Sequence, residues 1–358
     1  MLSFNEIFAD STKHCKKIKT DEYHETGKNM IVDQGQSEIA GYTDLEEGLF
    51  SDVPAIIFGD HTRIIKYVDK PFFIGADGVK VLKSKLEKAN YRYLYYALKN
   101  VKIPNTGYNR HFKWLKETIF NYPNSDRQQE IVLILDKLQS IITHIRTQLE
   151  KLDLLVKSRF VEMFKDVKDF VPLSFYINSL LAGKSLAGEE SCKNKVLKTE
   201  AVSYNYFDNS QVKNLPNKYI PLEEHRVNDG DVIISRMNTS ELVGAAAYVW
   251  EAPANTFLPD RLWKANLNEE ANPIFIWQLL IQQTTKDEMK KIASGTSGSM
   301  KNISKSGLLG IKVIKIAFDA QTQFANFVKQ VEKSRCALQQ ELTQTQTLFN
   351  SLMQEYFG

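Results

Sequence analysis

The sequence has few cysteines, no long apolar run and almost no net charge. Its three cysteines, Cys15, Cys192 and Cys336, are odd in number and far apart, which excludes a disulfide framework. None stands in a Cys-x-x-Cys pair, and the histidines show no His-x-x-x-His spacing, so no metal site is predicted. No apolar run reaches the roughly 18 residues that span a bilayer. The N-terminal stretch MLSFNEIFADSTKHC lacks the apolar core of a signal peptide, so a reducing cytoplasm is the expected setting. A net charge of +3 over 358 residues excludes a basic footprint across the whole chain. Any charge that meets nucleic acid must therefore be local, or shared with partners.

Catalytic signatures are also missing. Gly183-Lys184-Ser185 has the tail of a phosphate-binding loop, but Asn178 stands where the loop needs glycine. Asn272-Pro273-Ile274-Phe275 lacks the second proline of an amino-methyltransferase motif. It fits better as a helix start, with Asn272 capping and Pro273 in the first turn, where no N–H is needed. Pro259-Asp260 would open a nuclease motif, but Ala265-Asn266-Leu267 stands where its Glu-x-Lys belongs.

What the sequence does contain is a repeat. Arg127–Phe164 and Ala320–Phe357 align without gaps, matching Gln128 with Gln321, Ile131 with Phe324, Leu138 with Val331, Leu149 with Leu342 and Phe164 with Phe357. Upstream, ANYRYLYYAL at 89–98 matches ANPIFIWQLL at 271–280. The second half carries extra residues after this match, assigned to a loop insertion within Thr284–Met300.

The repeated segments read as long helices. Ile131, Ile134, Leu138, Ile141, Ile145, Leu152 and Leu155 follow a 3-4 spacing, and Leu135, Ile142, Leu149 and Val156 add a third apolar row. The second helix keeps Phe324, Phe327, Val328, Val331, Leu338, Leu342, Leu348 and Leu352. About 38 residues at 1.5 Å each make a rod of roughly 57 Å. Two matched copies predict an intramolecular antiparallel pair, with Ile131, Ile134, Leu138, Ile145, Leu149, Phe324, Phe327, Val331 and Leu342 in the seam. Strands are predicted at 53–58, 64–68 and 79–82, and again at 231–235, 245–250 and 262–265. The expected fold class is α+β: two mixed α/β domains at 1–124 and 168–317, each followed by a long helix, at 125–167 and 318–358, the helices forming an antiparallel coiled coil.

This arrangement resembles the specificity subunits of type I restriction-modification systems. The residues that carry the resemblance are 122–131, YPNSDRQQEI, and their counterpart 318–324, FDAQTQF. Ile31-Val32-Asp33-Gln34-Gly35-Gln36, the run from Val53 to Leu82, and GDVIISR at 230–236 resemble that family's recognition domains. The resemblance implies double-stranded DNA as ligand, with two methyltransferase subunits and restriction subunits as partners. It places S-adenosylmethionine, ATP and Mg²⁺ on those partners and none on this chain.

Side chains on glycine-containing loops are the candidate DNA contacts: His61, Thr62 and Arg63; Tyr108, Asn109, Arg110 and His111; Arg236, Asn238 and Thr239; and Thr296, Ser297 and Lys301. Arginine can bond guanine bidentately and asparagine adenine, whereas lysines beside a glycine-serine loop suit phosphates. Asp60, Asp77 and Asp260 could accept from cytosine, but are expected instead to order their turns through hydrogen bonds. Two such heads would read an asymmetric, two-part target about one helical turn, roughly 34 Å, apart. Two other readings compete: an enzyme joining methyltransferase and specificity functions, and a non-catalytic coiled-coil scaffold without DNA binding.

Overall fold

A computed structural model describes residues 1–75, 77–107, 109–188, 191–295 and 300–358. The chain forms two compact units, Met1–Thr147 with Gln339–Gly358, and Gln148–Leu338. Among the described residues no helix is long and apolar enough to cross a membrane.

The first unit has a four-stranded antiparallel sheet in the spatial order Phe8–Asp10, Val79–Ser84, Ala55–Gly59, Ile65–Val68. All five residues of Ala55–Gly59 are buried, so an apolar run without alternation makes a central strand covered on both faces. Ile65–Val68 alternates, with Lys66 and Val68 buried, as a strand at the sheet's edge should. A second sheet orders Gly41–Thr43, Asn29–Val32 and Phe72–Ile74, the middle strand antiparallel to the first and parallel to the last. The helix Tyr91–Lys99 follows, capped by the Asn90 side chain.

The second unit repeats this topology. Its four-stranded sheet runs Ile177–Leu181, Leu262–Leu267, Val232–Ser235, Ala246–Tyr248. Its three-stranded sheet runs Val212–Asn214, Lys195–Leu197, Thr256–Phe257, with the same mixture of directions. Pro273–Leu280 is the matching helix, and Asn272 caps it by accepting from the backbone N–H groups of Ile274 and Phe275. Gly183 is explained by a close approach rather than by phosphate, since a Cβ there would lie 1.9 Å from the Leu258 carbonyl oxygen. The insertion after Pro273–Leu280 is not simply a loop, because it contains the helix Gln283–Ile292.

The long helices are Ser125–Phe164 and Phe318–Phe357. The matched glutamines at their starts have a shared job. Gln128 is buried and donates to the Pro123 carbonyl at 2.8 Å; Gln321 is buried and donates to the Ile316 carbonyl at 2.8 Å. Each bond ties the first turn to the chain entering it.

In the first unit Ile131, Val132, Leu135 and Ile142 form one cluster with Phe349 and Met353 and with Tyr93 and Tyr96. In the second, Val156, Phe160 and Phe164 cluster with Phe275, Phe324, Val328 and Val331. Of the seam residues named from sequence, Ile131, Ile145, Phe324 and Val331 are buried, and Ile134, Leu138, Leu149, Phe327 and Leu342 are half-buried. Leu155 and Leu348, also expected on the apolar face, are 46% and 49% exposed. Past Leu152 the buried positions Val156, Phe160 and Phe164 step by four. Such a row winds round the helix and carries the covered face away from Leu155. Phe349 and Met353 likewise take the place expected for Leu348.

Each unit also holds its stretch of the first long helix by a polar clamp. Tyr96 donates to Asp136 at 2.5 Å, and Arg92 pairs with the same carboxylate. Tyr206 donates to Asp153 at 2.6 Å, and Arg335 pairs with that carboxylate. Burial, and then the bond to the aspartate, push both tyrosine hydroxyls well above the usual phenol range.

Leu135→Ala is expected to destabilise the protein by about 2–5 kcal/mol through transfer and cavity terms. Leu155→Ala should stay within about 0.5 kcal/mol of wild type. Urea unfolding of the two variants checks the assigned face, and equal losses would refute it.

Candidate nucleic-acid interface

In the first unit the loop after the buried central strand turns sharply. Gly59 and Arg63 close it through the bond from the Arg63 N–H to the Gly59 carbonyl at 2.7 Å, and Arg63 takes a left-handed conformation, φ 63°. Asp60, almost wholly buried, is its anchor. The Asp60 carboxylate accepts from the Phe112 N–H at 2.7 Å, and its carbonyl accepts from the His111 N–H at 2.8 Å. Those bonds bring 59–63 and 111–112 together. The Asp60 carboxylate therefore ties the turn to a distant segment, whereas the turn itself is closed by the backbone of Gly59 and Arg63.

Gln34 adds a third loop, and sequence reasoning did not name it as a site residue. It accepts from the His61 N–H at 3.2 Å, donates to the Asp77 carbonyl at 3.0 Å, and accepts at its own carbonyl from the Thr62 hydroxyl at 2.7 Å. Beside it, Lys17 bonds Asp77 at 2.6 Å; that hydrogen bond and the charges of Lys17 and Arg110 hold the Asp77 carboxyl below its usual range. A glutamine between Asp33 and Gly35 at a strand end was the available signal.

The candidates of this unit have different fates. Arg110 is exposed, and Arg63 is half-buried with its guanidinium donating to the Ile103 carbonyl at 3.3 Å. His61 is half-buried. Thr62 is exposed, with its hydroxyl engaged by Gln34, and the Asn109 amide turns back onto the Thr106 carbonyl. His111 corrects the expectation that it faces a ligand. It is wholly buried, its Nδ1 3.0 Å from the Asp60 carbonyl oxygen and its Nε2 3.4 Å from the Thr106 hydroxyl. Tyr108, Thr296 and Ser297 lie outside the described residues.

The second unit builds the same junction from different side chains. Arg236 is the first residue after its central strand, as Asp60 is in the first unit. The Arg236 carbonyl accepts from the Ile303 N–H at 2.9 Å, the counterpart of the bond from His111 to Asp60. Met237–Asn238 pairs with Lys301–Asn302, setting Asn238 opposite Lys301. The Arg236 guanidinium lies 5.5 Å from the centre of the Trp263 ring, a cation–π distance. Its Nε is buried and has no hydrogen-bond partner among the described residues. Thr239 is exposed, and Lys301 donates to the Gly295 carbonyl at 2.8 Å. Each unit thus presents polar and basic side chains on a hairpin braced by a second loop, which is chemistry suited to base edges and phosphates.

Residues 4–153 match the model of the type I restriction modification DNA specificity domain. The chain is 28% identical over 114 residues to the specificity subunit of the type I restriction enzyme EcoEI of Escherichia coli, covering 32% of this chain and 19% of that protein. It is 28% identical over 155 residues to the EcoR124I/EcoR124II specificity subunit of Escherichia coli, covering 40% of this chain and 38% of that protein. The matches therefore span well under half of these curated relatives. The crystal structure of a type I restriction-modification S subunit from M. genitalium superposes with a TM-score of 0.60, at 18% identity, over 100% of this chain and 98% of that one, which shows a shared fold. Over residues 4–153 the chain is thus similar to the type I restriction modification DNA specificity domain, and the curated relatives it matches in part are type I specificity subunits.

Asp60→Ala should cost about 1–3 kcal/mol, because it strands the buried Phe112 N–H, whereas Asp60→Asn keeps an acceptor and should cost less. Denaturant unfolding of both variants tests the anchor, and an Asn variant as damaged as the Ala variant would speak against it.

Proposed function

We propose that this chain is the DNA-sequence-reading subunit of a type I restriction-modification complex, acting in the cytoplasm. It recognises an asymmetric two-part target and recruits two methyltransferase subunits and the restriction subunits. It catalyses no step itself. S-adenosylmethionine is held by the methyltransferase subunits, and ATP and Mg²⁺ by the restriction subunits. The observation that carries this reading is one loop junction built twice on one topology, with Asp60 at its centre in the first unit and Arg236 in the second. Equal backbones with unequal side chains suit two heads that read different sequences.

On this reading residues 1–124 and 168–317 are the recognition domains, and 125–167 and 318–358 the helical spacers. The helices pair antiparallel. In support, the first unit sets the start of one helix against the end of the other, the Arg127 guanidinium 5.4 Å from the Tyr356 ring centre, and the second packs Phe160 on Phe324, ring centres 5.4 Å apart.

Replacing Arg236 with Ala is expected to cost about 1–3 kcal/mol of binding and to relax preference at one position of one half-target. Arg110→Ala should act on the other half. Selection from random duplex DNA, using the full chain with its methyltransferase partner, reads both effects. A continuous palindromic target, or one variant that changes both halves, would refute the two-head reading.

A further inference from the structure

The second unit has a longer stretch between its helix Pro273–Leu280 and the short helix Lys305–Gly310 than the first has between Tyr91–Lys99 and Phe112–Lys116. The extra chain folds as the helix Gln283–Ile292 and, further on, the strand Lys301–Asn302. Both parts grip the hairpin 236–245. On one flank Met289, wholly buried, lies against Gly244, where an added Cβ would stand 2.5 Å from the methionine sulfur. Gly244 adopts φ 76° and closes the hairpin by donating to the Ser235 carbonyl at 2.8 Å. At the exposed end of this flank the Lys290 ammonium lies 3.7 Å from the Glu241 carboxylate. On the other flank Lys301–Asn302 pairs with Met237–Asn238. The first unit's loop, 60–64, is shorter and is held by Gln34 and His111 instead. Its Asp60 carboxylate is bonded to the first residue of the short helix Phe112–Lys116.

We propose that the insertion is a positioning element for base reading by the second unit, with Met289 as its positioning residue, acting through Gly244 on the hairpin that carries Arg236 and Asn238. The proposal rests on the DNA-reading function above. Phosphate contacts tolerate small shifts of a loop, whereas hydrogen bonds to base edges weaken steeply with distance and angle. Loosening the Met289 contact therefore reduces discrimination more than affinity, and only in the half-target that the second unit reads.

The test is selection from random duplex DNA by the full chain with its methyltransferase partner, wild type against Met289→Ala. The expected result is an about tenfold loss of base discrimination in one half, within the range of a single base contact, with the other half unchanged and Met289→Leu restoring the wild-type pattern. Thermal unfolding checks that Met289→Ala is folded. If it is not, Glu241→Gln, at the exposed end of the same flank, should produce a smaller loss in the same half. Unchanged preferences in the folded variants, or equal flattening of both halves, overturn the positioning role while leaving the DNA-reading function standing. A wild-type complex that recovers no preferred sequence overturns both.

Discussion

The structure depends on covering the apolar faces of two helices that no short module could stabilise by propensity alone. A helix of 40 residues is held in water by what covers it more than by its own hydrogen bonds. Within each unit the cover is aromatic. Tyr96 meets Phe349 at 6.2 Å between ring centres in the first, and Phe160 meets Phe275 at 6.1 Å in the second. Apolar contact is not directional and would let a helix turn about its axis. The tyrosine–aspartate–arginine clamps at Asp136 and Asp153 supply direction, since each aspartate must face one hydroxyl and one guanidinium.

On the function proposed above, recognition is separable from folding because the two depend on different atoms. The junction of hairpin and second loop is fixed by backbone groups, the Asp60 carbonyl with the His111 N–H and the Arg236 carbonyl with the Ile303 N–H. Those groups are present whatever side chain stands there. The side chains are then free to differ, and they do: exposed Arg110 and half-buried Arg63 at one junction, exposed Thr239 with half-buried Arg236 and Asn238 at the other. Side chains that turn inward lose this freedom. Asp60 and His111 are committed to the junction itself.

Much of this could be read from the sequence where the signal was local. The helix start at Asn272-Pro273, the central strands near 55–58 and 232–235, and the extent of both long helices rest on capping, apolar runs and periodicity within a few residues. The three-stranded sheets were not legible. Asn29–Val32 pairs in parallel with Phe72–Ile74, and nothing in either short segment specifies a partner so far along the chain. Burial of polar residues was also hidden. His111 has the composition of a surface loop, and only the carbonyl of Asp60 explains why it is inside. The glutamines at 128 and 321 were seen as a match, but their bonds to the Pro123 and Ile316 carbonyls give the physical reason for it.

The low net charge takes on meaning once the ion pairs are placed. Lys17 is matched by Asp77, Lys66 by Asp33, Lys80 by Asp10, Lys83 by Asp52 and Lys264 by Asp231. Lys66 and Lys264 are also nearly buried and donate to the Ser37 and Arg226 carbonyls, so they serve the fold and not a ligand. Non-specific DNA affinity comes chiefly from cations that neutralise phosphates and release counterions. On the function proposed above, these five lysines add little to such affinity, and phosphate contacts fall to cations elsewhere. On that same proposal, preference for one sequence rests on the polar side chains of the hairpins and not on bulk charge.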